Sequence, residues 1–333
     1  MSPAAAARRF PARRFRARWF LARRLQAGRV TAGRSACLIA GLIASLAAGP
    51  PAGSTATFAL TGRTQVEGGY TSSLFAGEAS PTPDRFAVLL AGLGLRARGA
   101  SGARVDLNLT AAAERYDQWT QRNAERYEAE LRARAGAWRA RARGRYSPEV
   151  LLFPDATGGA RYRDREGVLE MELRPRAGLV AGLELRSRGE RFDASHAGRT
   201  SVRNRWSYLA GWEPAPATRA AIRFENERSR ADDSNYDFYE NNLGLSAEAP
   251  VGPVEVRLET VQGVRNYFPA SLFGTNYRRH DREQTYRLEV SRDVSPEVRI
   301  VFSEEYRRRD STRDYRDYRQ NTVRLALQGR LGR

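Results

Sequence analysis

Apolar and polar residues alternate along most of the chain beyond residue 56. Val105-Asp106-Leu107-Asn108-Leu109-Thr110 alternates strictly, and so does Val254-Glu255-Val256-Arg257-Leu258-Glu259. The same period recurs in Tyr286-Arg287-Leu288-Glu289-Val290, in Val298-Arg299-Ile300 and in Val323-Arg324-Leu325-Ala326-Leu327-Gln328. A period of two places one face of a strand in an apolar medium and the other against water or charge. No segment carries a sustained apolar stripe of helical period.

Short breaks with glycine or proline fall near 98–102, 174–177, 213–217, 248–253 and 293–296. Proline cannot donate to a ladder and glycine relaxes the backbone, so both end strands. The gap between the first two breaks is about double the later ones, which predicts a further turn at Arg134-Ala135-Gly136-Ala137. Between the tight turns lie longer polar stretches, among them 74–84, 148–164, 193–200, 231–236, 268–281 and 310–317. Strands are then expected at 57–70, 85–98, 102–117, 123–134, 137–147, 165–174, 178–192, 201–213, 217–229, 237–248, 253–266, 282–293, 297–308 and 318–331. That gives about fourteen, an even number, as bacterial barrels have.

Short turns on one side and long loops on the other fit an all-β, antiparallel up-and-down transmembrane β-barrel over 57–333. A propeller would need four strands in each repeat of about 40 residues, and the segments pair as hairpins instead. A soluble sandwich has no need of so many long alternating strands. Tyr70, Tyr116, Tyr127 and Tyr267 fall near the loop ends of strands, and Trp138 and Trp212 near the turn ends. Amphipathic rings at both levels suit two membrane–water interfaces.

Residues 1–56 read differently, as a cleaved signal peptide with a long basic leader. Ten arginines and no acid precede residue 50. The apolar run Ala36 to Ala48 is 13 residues long, short of the ~20 that a spanning helix needs. A basic flank, an apolar core and small residues are the parts of a secretory signal, with cleavage expected after Ala56 or Ala48. Arginine pairs such as Arg8-Arg9 permit a twin-arginine signal, but a barrel must reach its membrane unfolded. Cys37, the single cysteine, opens the apolar run, so the mature chain can have neither disulfides nor thiolate metal sites.

The net charge of +18 rests on 56 basic residues, all arginine. Beyond residue 60 these alternate with apolar residues or stand beside glutamates, and no like-charge block forms a nucleic-acid arm. If the apolar set faces lipid, the other set lines a lumen. Arg139, Arg141, Arg143 and Arg145 then form one column, between Glu128 and Glu130 on one side and Glu170 and Glu172 on the other. Arg203, Arg205, Glu225, Glu227, Glu255, Arg257 and Glu259 continue the charged lining. Such columns allow cross-strand ion pairs, which either sort solutes along a water-filled path or stiffen the wall. Eight strands leave room for side chains alone and sixteen leave a channel, so fourteen implies a narrow passage. Leu151, Leu152 and Phe153 give the 148–164 loop an apolar patch, which either folds in as a constriction or packs on its neighbours.

Over 57–333 the chain resembles the general class of Gram-negative outer-membrane barrels, whose fourteen-strand members include monomeric porins and hydrophobic-solute transporters. The final segment Val323 to Arg333 looks like the insertion signal of that class, with Arg333 where an aromatic usually stands. No N-terminal plug of the fatty-acid-transporter kind is visible. The resemblance implies a cell outer membrane location, with outer-membrane lipid and the barrel-insertion machinery as partners. A porin-like channel for small solutes follows, with a non-conducting structural or assembly barrel as the alternative. Some barrels of the class are enzymes with acid–histidine sites at the outer lip. Here the two histidines, His196 and His280, fall in expected loops near Asp193, Ser195, Asp232, Asp233 and Asp281. Spacing of this kind is a weak signal of general-base chemistry, so solvated loop residues are expected and no catalytic residue, metal or cofactor is assigned.

Overall fold

The computed structural model describes residues 57–72, 83–99, 102–153, 160–176, 178–268, 279–312 and 317–331. The expected signal peptide, 1–56, lies outside the described residues, as do the side chains of Leu152 and Phe153. Fourteen strands follow one another: β1 Thr57–Thr71, β2 Asp84–Arg98, β3 Arg104–Tyr116, β4 Ala124–Ala135, β5 Trp138–Phe153, β6 Ala160–Leu173 and β7 Leu179–Phe192. The second half comprises β8 Ser201–Ala215, β9 Thr218–Ala231, β10 Phe238–Val251, β11 Val254–Tyr267, β12 His280–Ser295, β13 Val298–Ser311 and β14 Tyr318–Leu331. Each strand pairs antiparallel with its neighbours in sequence, and β1 closes the barrel against β14 from Gly62↔Leu331 to Thr71↔Thr322.

The turn expected near residue 136 is present: β4 ends at Ala135, β5 begins at Trp138, and Gly136 has φ +54°. That left-handed conformation is the reason for glycine in so short a connection. The comparable turn between β8 and β9 places Ala217 at φ +58°, where an alanine carries strain that glycine would not.

Alternation sorts the side chains onto two faces. Along β8, Val202, Trp206, Tyr208 and Trp212 point outward and are exposed, whereas Ser201, Arg203, Arg205 and Ser207 point inward. The outward set elsewhere includes Leu60, Leu89, Leu93, Leu243, Leu245, Leu325 and Leu327, and Leu60 leaves 72% of its surface uncovered. An apolar belt of this size has no place in water. Closing the sheet leaves no unpaired edge, the condition for β-structure to cross lipid. The protein is an outer-membrane β-barrel.

Two expectations are corrected. The segment 148–164 is mostly strand: β5 runs on to Phe153, and β6 starts at Ala160. Bulges between Ser147 and Val150 and between Leu151 and Phe153 absorb the extra residues, Pro148 among them, as bulges do where a strand must pass a residue that cannot pair. Leu151 is buried against Tyr116 and Trp119, so it packs on the neighbouring β3–β4 connection. Tyr116 and Tyr267 also depart from the girdle expected of them. They face inward against Phe86 and Phe238, with ring centroids 5.8 and 5.6 Å apart. Tyr70, Tyr127, Trp138 and Trp212 do face outward and are exposed.

Candidate functional site: the charged lumen

All fifteen charged residues assigned to the lumen from sequence lie on the inward face, because each shares strand parity and register with its neighbours. Their ion pairs are both direct and diagonal. Arg132 stands directly opposite Arg141, and Arg143 opposite Glu130. Yet Arg141 donates to Glu130 at 2.6 Å, joined there by Arg132 at 2.5 Å. Arg141 also reaches Glu170 at 3.7 Å, and Arg139 reaches Glu172 at 3.7 Å. Arg141–Glu170 and Arg139–Glu172 are direct register partners, whereas Arg141–Glu130 is offset by two residues across the tilted sheet.

The next turns of the lattice involve residues that the charge columns alone did not single out. Glu166 receives Arg143 at 3.2 Å, Arg145 at 3.0 Å and Arg186 at 2.5 Å. Asp164 receives Arg145 at 3.1 Å and Arg188 at 2.8 Å. Glu190 links Arg188 to Arg203 at 3.2 and 2.7 Å. Arg205 then spans Glu225 and Glu227 at 3.1 and 2.7 Å. Farther round, Glu255 meets Arg299 at 3.0 Å, and Arg257 lies 3.8 Å from Glu259. Glu166 shares its parity with Glu170 and Glu172, which is the signal that would have found it.

Small and apolar inward residues are concentrated on β2 and β3, beside the Arg324–Glu67 ion pair of β14 and β1 at 3.4 Å. Val88, Leu90, Gly92 and Gly94 of β2 face inward beside Thr110 and Ala112 of β3 and Ala326 of β14.

Two further groups bracket the lattice. At the loop end, inward aromatics stack with arginines: Arg265 over Phe238 at 4.4 Å, Arg279 over Tyr267 at 4.2 Å and Arg309 over Tyr318 at 4.8 Å. Tyr162 stacks on Phe192 in the same collar, centroids 4.9 Å apart. These contacts narrow the mouth with flat, partly cationic surfaces. At the turn end, Arg98, Arg104, Arg134 and Arg139 are successive direct partners across β2 to β5, all inward. Asp106 accepts from Arg104 at 2.6 Å and from Arg96 at 2.8 Å. Arg98 and Arg134 are exposed and have no ion pair among the described residues.

The histidines stand apart from the lumen. His196 Nδ1 lies 3.1 Å from Asp193 Oδ1 and 2.9 Å from Ser195 Oγ, while Ser195 itself donates to Asp193 at 2.9 Å. One ring nitrogen meets both groups, whereas a nucleophile relay needs the two nitrogens on different partners. Desolvation opposes ionisation of Asp193, but donors from Ser195, the Arg161 amide and His196 hold its carboxyl below the usual carboxylate range. The cluster is a cap on the turn Ala194–Arg199. His280 faces outward against Asn266. Asp233 caps the turn Ser234–Tyr236, and Asp281 is buried under Arg279 and Ser311.

No family model and no curated protein matches the chain. Solved structures do. An anion-selective porin from Comamonas acidovorans aligns over 83% of this chain and 100% of its own, at 11% identity and TM-score 0.44. Outer-membrane expressed OmpT of Vibrio cholerae aligns over 83% and 98%, at 7% identity and TM-score 0.46. OpdK of Pseudomonas aeruginosa, solved with vanillate, aligns over 82% and 99%, at 10% identity and TM-score 0.39.

Proposed function

We propose that the protein is a narrow porin-like channel that passes small solutes across the outer membrane and favours anions. The observation that carries this reading is the row Arg98–Arg104–Arg134–Arg139 at the turn-side mouth. Like charges placed directly opposite one another destabilise a sheet, and a wall that only needed stiffness would pair them with acids, as it does around Glu166. Left inward and partly unpaired, the row raises the local anion concentration at the entrance. A fourteen-strand bore leaves limited space beyond its side chains, so the solutes are small.

The second reading, a non-conducting structural barrel, draws on the ion-pair lattice between β4 and β9, which pins most lumen charges against the wall. Catalysis has no comparable support, since the histidine clusters serve as turn contacts. The channel reading calls for no cofactor and no nucleic acid, and for lipid and the insertion machinery as partners in assembly.

Planar-bilayer recording decides between the two. The channel should give discrete conductance steps, with a reversal potential in a KCl gradient on the anion-selective side. The double variant R98E/R134E should move that potential toward cations. Heat-modifiable, folded protein that gives no steps would establish the structural barrel instead.

A further inference from the structure

Outward-facing charge is distributed unevenly between the two ends of the wall. Near the loop end, Arg161, Arg163 and Arg165 of β6 and Arg191 of β7 all point outward, and Arg163 stands directly opposite Arg191. On the turn-side half of the strands, Arg292 is the single outward arginine among the described residues; its neighbours at that level include Leu60, Leu107, Trp138 and Trp212. Arg161 is paired with Glu149, and Arg165 lies over the Tyr146 ring at 5.6 Å. Arg163 and Arg191 are exposed, and no acid among the described residues pairs with either. Two exposed arginines at directly opposed positions on the outer face can both reach one phosphate, which each binds through two N–H donors.

Below these arginines, toward the membrane, the outer wall is hollowed. Gly144 stands opposite Gly167 and Ala129, and Ala91 opposite Ala111, all outward. A Cβ added at Gly144 or Gly167 would meet nothing within 4 Å. The resulting trough, about 1180 Å³, is lined almost wholly by apolar surface and ends at Tyr146 and Arg165.

We propose that this face docks a phosphorylated acyl lipid of the outer leaflet, its phosphate between Arg163, Arg165 and Arg191 and one chain along the trough. Charge complementarity names the headgroup, and the apolar trough running from it into the membrane names a lipid over a free phosphate. The proposal is independent of whether the lumen conducts.

The test uses the full chain, folded in non-ionic detergent and checked by heat-modifiable gel mobility. Delipidated protein is offered diphosphoryl lipid A or its dephosphorylated form, and bound lipid is counted by native mass spectrometry. Wild type should retain the diphosphoryl lipid and not the dephosphorylated one. R163Q/R165Q/R191Q should retain roughly tenfold less, the scale of lost charge-assisted contacts, and R292Q should match wild type. Gly144→Leu, whose Cβ meets no neighbouring atom within 4 Å, should also weaken retention by filling the trough. Equal retention by the triple variant, or an equal loss in R292Q, would overturn the proposal. So would displacement of the lipid by millimolar inorganic phosphate together with unchanged retention by Gly144→Leu, because the site would then recognise phosphate alone.

Discussion

Arg145 of β5 donates to Glu166 of β6 at 3.0 Å, and the Glu166 side chain is shut off from solvent. Arg143 and Arg186 reach the same carboxylate at 3.2 and 2.5 Å. Three guanidinium groups therefore converge on one acid, and Arg145 alone of them also reaches Asp164. Glu166→Gln keeps the shape and removes the one fully buried charge, leaving the partly buried Arg143 and Arg186 without their acid, which costs on the order of 3 kcal/mol. Glu170, 3.7 Å from Arg141 and about one-third exposed, is a screened pair, and Glu170→Gln should change stability by less than about 1 kcal/mol. Urea unfolding in detergent measures both. Equal effects would mean that the lattice around Glu166 is solvated as freely as its rim.

Asp84 ties down a loop far along the chain. Almost completely buried, its carboxylate accepts the backbone amides of Gln118 and Trp119 at 3.1 and 3.0 Å. Asp84→Ala removes both acceptors while leaving the strand ladders intact, so trypsin should cut after Arg122 sooner than in wild type with the barrel still heat-modifiable. An unchanged cleavage rate would show that the remaining contacts, Leu151 with Tyr116 and Trp119 and the Asp117 amide on the Arg85 carbonyl among them, hold the loop without it.

The strands were legible because alternation and turn chemistry agree along the whole body. Gly136 was located by spacing and parity before any local signal marked it. The inward faces were legible for the same reason, since parity fixes a face once the lipid side is known. Individual pairs were not. Register alone joins Glu130 to Arg143, and the barrel's stagger joins it to Arg141. The length of β5 was hidden by Pro148, which reads as a break until a bulge accommodates it. Tyr116 and Tyr267 show that position along a strand predicts depth but says nothing of face; Tyr116 shares the parity of Asp106 and Asn108, which marks it as inward.

The outward tryptophans offer a direct check on where the lipid lies. Trp138, Trp206 and Trp212 are exposed on the outer face, at 58%, 53% and 57%, whereas Trp119 sits on the loop side against Leu151. In vesicles of brominated lipid, proteins retaining one tryptophan each should report different depths. Trp206, in mid-strand, should be quenched most by bromines deep in the chain. Trp138 and Trp212, at interfacial level, should respond to shallow ones. Trp119 should respond to neither, and strong quenching there would contradict the assignment of faces.

Glu304 breaks the apolar belt. It faces outward on β13, opposite Leu288 of β12 and Val323 of β14, and accepts a hydrogen bond from Asn321 Nδ2 at 3.0 Å. A carboxylate on the lipid face is costly in proportion to its depth, though less so than a cation. Glu304→Gln keeps the acceptor for Asn321 and removes the charge, so it should stabilise the barrel by about 1 kcal/mol in reversible unfolding from lipid vesicles. The neighbouring inward residue is the control. Glu305 pairs with Arg307 at 2.7 Å, and Glu305→Gln should be neutral or destabilising. If instead Glu304→Gln destabilises the protein and Glu305→Gln does not, then Glu304 meets water or a polar partner at that depth, and the lipid boundary on this side of the barrel lies nearer the turn end than the apolar belt implies.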